Sequence, residues 1–238
     1  MKIRIKFTKT GNMRFIGHLD VMRYFQKLMR RADVDIRYSE GFSPHQIMSF
    51  AQPLGLGDTS EGEYVDIDVL SSKSSAEMIR RINEKSCPEI QIKKYVRILD
   101  ETRRSNAMSN VAAADYRIFF RNEKPDNDIL NALFSRESIL VLRKTKTQEA
   151  MTDIRPFILD WRPEAEGLFV RLATGSAANC KPDTLMDAYD ALRSMAPQKF
   201  AYHFHRLEMY ARRDSDLIPL YRLGEELTQE ELPKGKTE

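Results

Sequence analysis

Cysteine is nearly missing from this chain: Cys87 and Cys180 are the only two among 238 residues. They lie far apart and form no C-x-x-C, so they are expected as reduced, partly buried thiols and not as a disulfide framework. Two thiols are also too few for a three-cysteine iron–sulfur site, so no cluster and no other cofactor is expected here. Histidine is scarce, with four, and Trp161 is the one tryptophan. No apolar run approaches the roughly 20 residues that span a bilayer. The first residues alternate as a strand, without an apolar leader or a small-residue cleavage site, so a cytoplasmic protein with no membrane partner is expected. What is present is 42% hydrophobic and 31% charged, enough for a packed core in one large domain or two small ones.

The net charge of +3 is small, but it is unevenly spread. Residues 1–37 carry ten Lys or Arg against three acids, a local excess of +7. Residues 214–238 carry seven acids against three bases, a local −4. A basic front end fits an anionic partner, although strand edges and helix backs are also charged for solubility.

Periodicity orders the first half. "KIRIKFTK" alternates as a half-buried strand. Residues 19–32 place Val21, Met22, Phe25, Leu28, Met29 and Ala32 on one helical face, with Arg23, Lys27, Arg30 and Arg31 opposite. Short extended pieces broken by Gly41, Pro44, Pro53, Gly55 and Gly57 follow. "EYVDIDVL" alternates, "SSAEMIRRINEKSC" is helical with Ser74 or Ser75 as N-cap, and "IQIKKYVRIL" is a strand. The order β-α-β-β-α-β is expected to repeat after a polar, small-residue linker: "DYRIFFRN", "DNDILNALFSR", "SILVLRKTK", "GLFVRLAT", "PDTLMDAYDALRSM" and "KFAYHFHRLEMYAR". The expectation is an α+β protein of two tandem ferredoxin-like (β-α-β-β-α-β) domains. Their expected bounds are 1–103 and 114–213, joined by a linker at 104–113 and followed by an acidic mobile tail at 214–238.

Several residues are candidates for chemistry. His18 and His45 flank the basic helix and its loop; two imidazoles suit metal-free RNA cleavage, which needs one base and one acid. The same histidines equally serve as a cap and a loop support. Arg14, Arg23, Lys27, Arg30 and Arg31 have the charge to neutralise phosphates, or to solvate a helix back. Tyr24 and Tyr38 are available to stack on bases or to rim the core. Gly41, Phe42 and Ser43 stand in a Gly/Pro loop that is no P-loop, since no Gly-Lys-Ser/Thr follows. In the second half Lys144, Lys146 and Arg155 form a further basic group around Asp153. His203 and His205 share one strand face; stacking under a helix is expected in preference to a metal.

"GHLDVMRYFQKLMRRA", "SEGFSPHQIMSFAQPLGLG", "EGEYVDIDV" and "KTKTQEAMTDIRP" resemble the radical SAM-linked protein family of bacteria, and the likeness runs over most of residues 1–210. That resemblance implies a radical SAM enzyme as partner. A more distant likeness is to the RAMP superfamily of tandem ferredoxin-like RNA-binding proteins, many with a histidine near the first helix, as His18 is here. Their glycine-rich loop comes near the C-terminus, whereas this chain has its own at 41–57. The expected function is an RNA-binding accessory protein that presents tRNA, rRNA or another structured RNA, and no DNA, to the radical SAM enzyme. The alternatives are a metal-independent endoribonuclease using His18, and an interaction module for the enzyme alone.

Overall fold

The structure, a computed structural model, describes residues 1–99, 106–144, 149–175, 179–198 and 200–229. The protein is mixed α+β and divides into two compact units, residues 1–111 with 208–238, and residues 112–207. In the first unit β1 (Lys2–Lys9) precedes α1 (His18–Arg31), β2 (Met48–Phe50), β3 (Thr59–Asp68), α2 (Ser75–Lys85), β4 (Ile92–Ile98) and the single turn α3 (Ala107–Asn110). β1 lies between β4 and β3, β2 pairs with β3, and these pairings are antiparallel. Alternation sends Ile3, Ile5, Phe7, Val65 and Ile67 to one face, where Phe25 and Leu28 of α1 and Met78 and Ile82 of α2 close the core.

Local chemistry sets the helix ends. Asp20 near the start of α1 and Arg30 and Arg31 in its last turn match the helix dipole. The helix stops because Asp33 turns left-handed at φ 52°. The Val34 N–H then reaches the Met29 carbonyl (3.0 Å) and the Asp33 N–H the Arg30 carbonyl (3.1 Å), the double bond of a Schellman cap. Ser74 caps α2 by accepting the Glu77 N–H.

The second unit holds β5 (Val111–Phe120), α4 (Asn127–Phe134), β6 (Leu140–Lys144), β7 (Glu149–Asp153), β8 (Ile158–Glu164), β9 (Gly167–Ala173), α5 (Pro182–Leu192) and the start of β10 (Tyr202–Arg213). β9 pairs antiparallel with β5 and β8, β10 neighbours β5, and β6 and β7 form a separate hairpin. Four strands stand between the helices where the sequence reading had two. The additional ones are β7 and β8, "EAMTD" and "ILDWRPE", which are largely exposed and so lack apolar alternation. Pro163 in β8 is tolerated at the end of the strand order. Cys87 and Cys180 are unpaired, and burial pushes the Cys180 thiol up to about 11.

Two expected boundaries shift. The linker expected at 104–113 contains α3 and the start of β5. Of the stretch expected as a mobile tail at 214–238, the described part forms β11 (Asp216–Pro219), a 3-10 turn at Leu220–Leu223 and β12 (Gly224–Glu225), and 230–238 lie outside the described residues. β11 pairs with β10, and β12 adds to β4. Leu220 and Leu227 are buried, which outweighs the acidic composition of the segment.

The face of the first sheet turned away from its helices is charged and still buried. The Arg4 guanidinium, 0% exposed, gives two hydrogen bonds to Asp66 (2.8 and 3.0 Å) and one to the Leu220 carbonyl (3.2 Å). Asp66 also accepts the Ala107 N–H at 2.7 Å. Beside them Glu208 accepts from Lys6 (2.6 Å) and from the Tyr64 hydroxyl (2.7 Å). Asp66→Ala strands a buried guanidinium, so urea unfolding is expected to show a loss of about 3–5 kcal/mol. A loss below about 1 kcal/mol, the range of exposed pairs, would mean that water reaches Arg4.

Candidate nucleic-acid interface

The apolar stripe of α1 is spent on the core, which leaves Arg23, Lys27, Arg30 and Arg31 exposed on the opposite side. Arg23 has an exposed ion pair with Asp20 at 3.2 Å, a contact weak in water. Lys27 has no hydrogen-bond or ion-pair partner among the described residues. Arg30 donates to the Gln26 carbonyl (3.2 Å) and Arg31 to the Lys85 carbonyl (3.3 Å). Neutral carbonyls orient these guanidinium groups without cancelling their charge. The face therefore keeps a positive field, with Asp20 paired to Arg23 near its start and Asp33 just past its end.

Aromatic groups flank it. Arg14, in a 3-10 turn ahead of the helix, lies over the Phe15 ring at 4.7 Å, and its carbonyl accepts the Gly57 N–H (2.8 Å). That bond holds the Gly/Pro loop beside the helix start, where Phe15, Leu19 and Leu56 are all at least 60% exposed. Gly41, at φ 105°, allows the turn that presents Phe42 and Ser43, and Phe42 is fully exposed. Tyr38 is 46% exposed and receives a hydrogen bond from Gln46. Tyr24 differs: its hydroxyl bonds Ser86 (2.9 Å) and accepts the Cys87 N–H (2.8 Å). Burial raises its phenol, and its ring packs on Phe25, so it rims the core. A cavity of about 450 Å³ beside the end of the helix is lined by charges of both signs, Arg30, Lys73 and Arg81 with Asp33 and Asp35, and by Tyr38.

The histidines go separate ways. His18 opens α1, exposed, with its ring edge-on to Phe50 at 5.4 Å. His45 is pinned inside its own loop: Nδ1 bonds the Ser39 hydroxyl (2.9 Å), and the same hydroxyl accepts the His45 N–H (3.1 Å). The contacts of the two rings share no residue among those described. Instead His18 lines a water-sized crevice with Lys9 and Glu63, which are 3% and 5% exposed. The sequence reading missed both. The available signal was the alternation of β1, which sends Lys9 to the side of Ile3, Ile5 and Phe7.

In the second unit Arg155 donates to the Arg136 and Ile158 carbonyls (3.2 and 3.3 Å), a local brace. N–H groups of Arg155 and Ile139 hold the Asp153 carboxyl below the usual range. The Lys144 side chain and Lys146 lie outside the described residues. His203 stacks on Phe119 at 6.0 Å, and Trp161 stacks on Phe134 at 4.1 Å. Among the described residues no three His, Cys, Asp or Glu converge as metal ligands, and no helix is long and apolar enough to cross a membrane.

A model of the family described as "Uncharacterized protein conserved in bacteria (DUF2344)" matches residues 2–182. No curated protein matches the chain. Among solved structures, a chain of the "Crystal Structure of a Cbf5-Nop10-Gar1 Complex" is similar at a TM-score of 0.48 and 10% identity, over 87% of this chain and 48% of that one. This chain thus spans about half the length of that structural neighbour.

The exposed and buried phenylalanines make opposite demands. Phe42→Ala is expected to change unfolding free energy by less than about 0.5 kcal/mol. Phe25→Ala, in the core, is expected to cost about 3–5 kcal/mol. Denaturant titrations of both variants check this, and a large loss at Phe42 would mean that its ring is packed in solution.

Proposed function

The chain belongs to the DUF2344 family of uncharacterised bacterial proteins, and from that footing we propose that it is an RNA-binding accessory protein of a radical SAM enzyme, to which it presents a structured RNA such as tRNA or rRNA for modification. The observation that carries this reading is the uncompensated charge of Lys27, Arg30 and Arg31 on α1, flanked by the exposed rings of Phe15, Tyr38 and Phe42. Cations neutralise phosphates and release counterions, while solvent-facing aromatics stack on unpaired bases. The resemblance of the chain's motifs to the radical SAM-linked family supports the enzyme partner. Each unit is read as a ferredoxin-like unit, the second with the β6–β7 hairpin inserted. The strand orders β4-β1-β3-β2 and β10-β5-β9-β8 support that reading.

One observation favours a second reading. His18, Lys9 and Glu63 around one crevice offer an imidazole, an ammonium and a carboxylate for metal-free RNA cleavage. The two readings part on turnover. A binder leaves RNA intact, whereas a ribonuclease cuts it in EDTA, leaves a 2′,3′-cyclic phosphate and loses cutting in His18→Ala.

The test of binding is a titration of structured RNA at several salt concentrations. Changing Arg23, Lys27 and Arg30 to Gln is expected to weaken affinity across sequences. It is also expected to flatten the plot of log K against log salt by about 0.7–0.9 per lost phosphate contact. Circular dichroism should be unchanged, since these side chains lie opposite the buried stripe. Wild-type protein without salt-sensitive RNA affinity would point to a module that touches only its protein partner.

A further inference from the structure

On the charged side of the first sheet, a cavity of about 390 Å³ is lined by Lys2, Arg37, Met48, Ser49, Asp68 and Asn106. Its volume lies in the range of small-molecule sites. Charged groups of both signs line it: Lys2, the Asp66 carboxylate already held by Arg4, and Arg37 and Asp68. Neither the Arg37 guanidinium nor the Asp68 carboxylate has a hydrogen-bond or ion-pair partner among the described residues. Their backbones are nonetheless locked together. The Arg37 N–H donates to the Asp68 carbonyl (2.7 Å), the Asp68 N–H to the Ile47 carbonyl (3.1 Å), and the Ile47 N–H to the Arg37 carbonyl (2.9 Å). A guanidinium and a carboxylate are thus held on a rigid frame at one cavity, with apolar surface from Ile47 and Met48 between polar walls.

We propose that this cavity binds a guanine base. Guanine carries two acceptors, O6 and N7, next to two donors, N1–H and the 2-amino group. The acceptor pair matches the two-pronged Arg37 guanidinium, and the donor pair matches the two oxygens of Asp68. Adenine has no N1–H, cytosine offers one amino group, and uracil turns carbonyl oxygens toward a carboxylate. Ile47 and Met48 supply apolar surface for the flat face of the ring, a thioether being suited to aromatic contact. Lys2, held by the Asn106 side chain at 2.9 Å, adds a cation for an attached phosphate. The source is an unpaired guanosine of the bound RNA, and on that point the inference rests on the RNA reading; a free guanine nucleotide presents the same chemistry.

The test uses the full chain and two kinds of probe. The 5′-monophosphates of guanosine, adenosine, cytidine and uridine are titrated while backbone amide resonances are followed. Guanosine monophosphate is expected to shift Arg37, Ile47, Met48, Ser49 and Asp68 and to bind about tenfold or more tighter than the others, as for one bidentate base contact. Asp68→Asn keeps the backbone frame and is expected to erase that preference, as is Arg37→Met, with the remaining amide spectrum unchanged. Equal binding of the four nucleotides, no binding, or shifts confined to other residues would overturn the proposal. The second probe is an oligouridine with one central guanosine or one central adenosine. A preference for the guanosine oligomer that Asp68→Asn removes supports RNA as the source. Guanosine monophosphate selectivity without salt-sensitive RNA binding supports the pocket, with a free nucleotide as source, and overturns the RNA reading instead. Salt-sensitive RNA binding with no guanine preference in either probe overturns the pocket and leaves the RNA reading standing.

Discussion

The first unit depends on a charge kept out of water. Arg4 sits fully buried in the middle of β1, and Asp66 on the neighbouring strand neutralises it through two hydrogen bonds. Backbone groups add to the pair: Arg4 reaches Leu220 in the turn after β11, and Asp66 receives the N–H that opens α3. Such a pair adds little net stability over an apolar substitute, but it tolerates no half measures, because either charge alone is costly. It therefore specifies which segments lie on this face. The opposite face needs no such device, since Ile3, Ile5 and Phe7 bury simple hydrocarbon against two helices.

This division explains where the charges of the chain are used. Lys2, Arg4, Lys6 and Lys9 are part of the basic front end, yet each is tied into the fold. The excess without a paired acid includes Arg37 and the exposed side of α1, where Arg30 and Arg31 donate to carbonyls, Arg31 also lies over the Tyr24 ring, and Lys27 meets nothing described. Net charge alone does not separate the two populations; burial does. His45 and His18 are both exposed and differ in their partners instead: His45 is fastened to Ser39, whereas His18 stands beside Lys9 and Glu63.

The readable parts of the sequence were those with one apolar face and one polar face. β1, α1, β3, α2 and β4 carry clean periods of two or 3.6 because each turns its apolar residues to a single side, even where, as in β1 and β3, the polar side is buried as well. β7 and β8 were missed because neither buries enough to impose a pattern, and the segment after Arg213 was misread because its acids outnumber a few decisive leucines. The basic face of α1 was legible in the same way as its core face. Asp68, Lys9 and Glu63 were not, because a charged residue on a strand looks like ordinary surface until the fold closes around it, nor was Arg37, which is exposed in the irregular stretch after α1. Which of them share a cavity is decided by long-range pairing, and no local window contains that information.

The first unit is made of two pieces of chain, residues 1–111 and 208–238, with the whole second unit between them. Synthesis proceeds from the N-terminus, so β1 and β3 emerge long before the groups that complete their polar face. Tyr64 waits for a carboxylate 144 positions later, and Arg4 for a carbonyl 216 positions later. A nascent chain that halts before Glu208 therefore carries the Arg4–Asp66 pair and Tyr64 without the later groups that complete their hydrogen bonds. Closing so large a loop is slow compared with making local helices, and the intervening residues have time to fold first. The polar face of the first sheet is thus finished only by groups that lie beyond the whole second unit in the chain, Glu208 and Leu220.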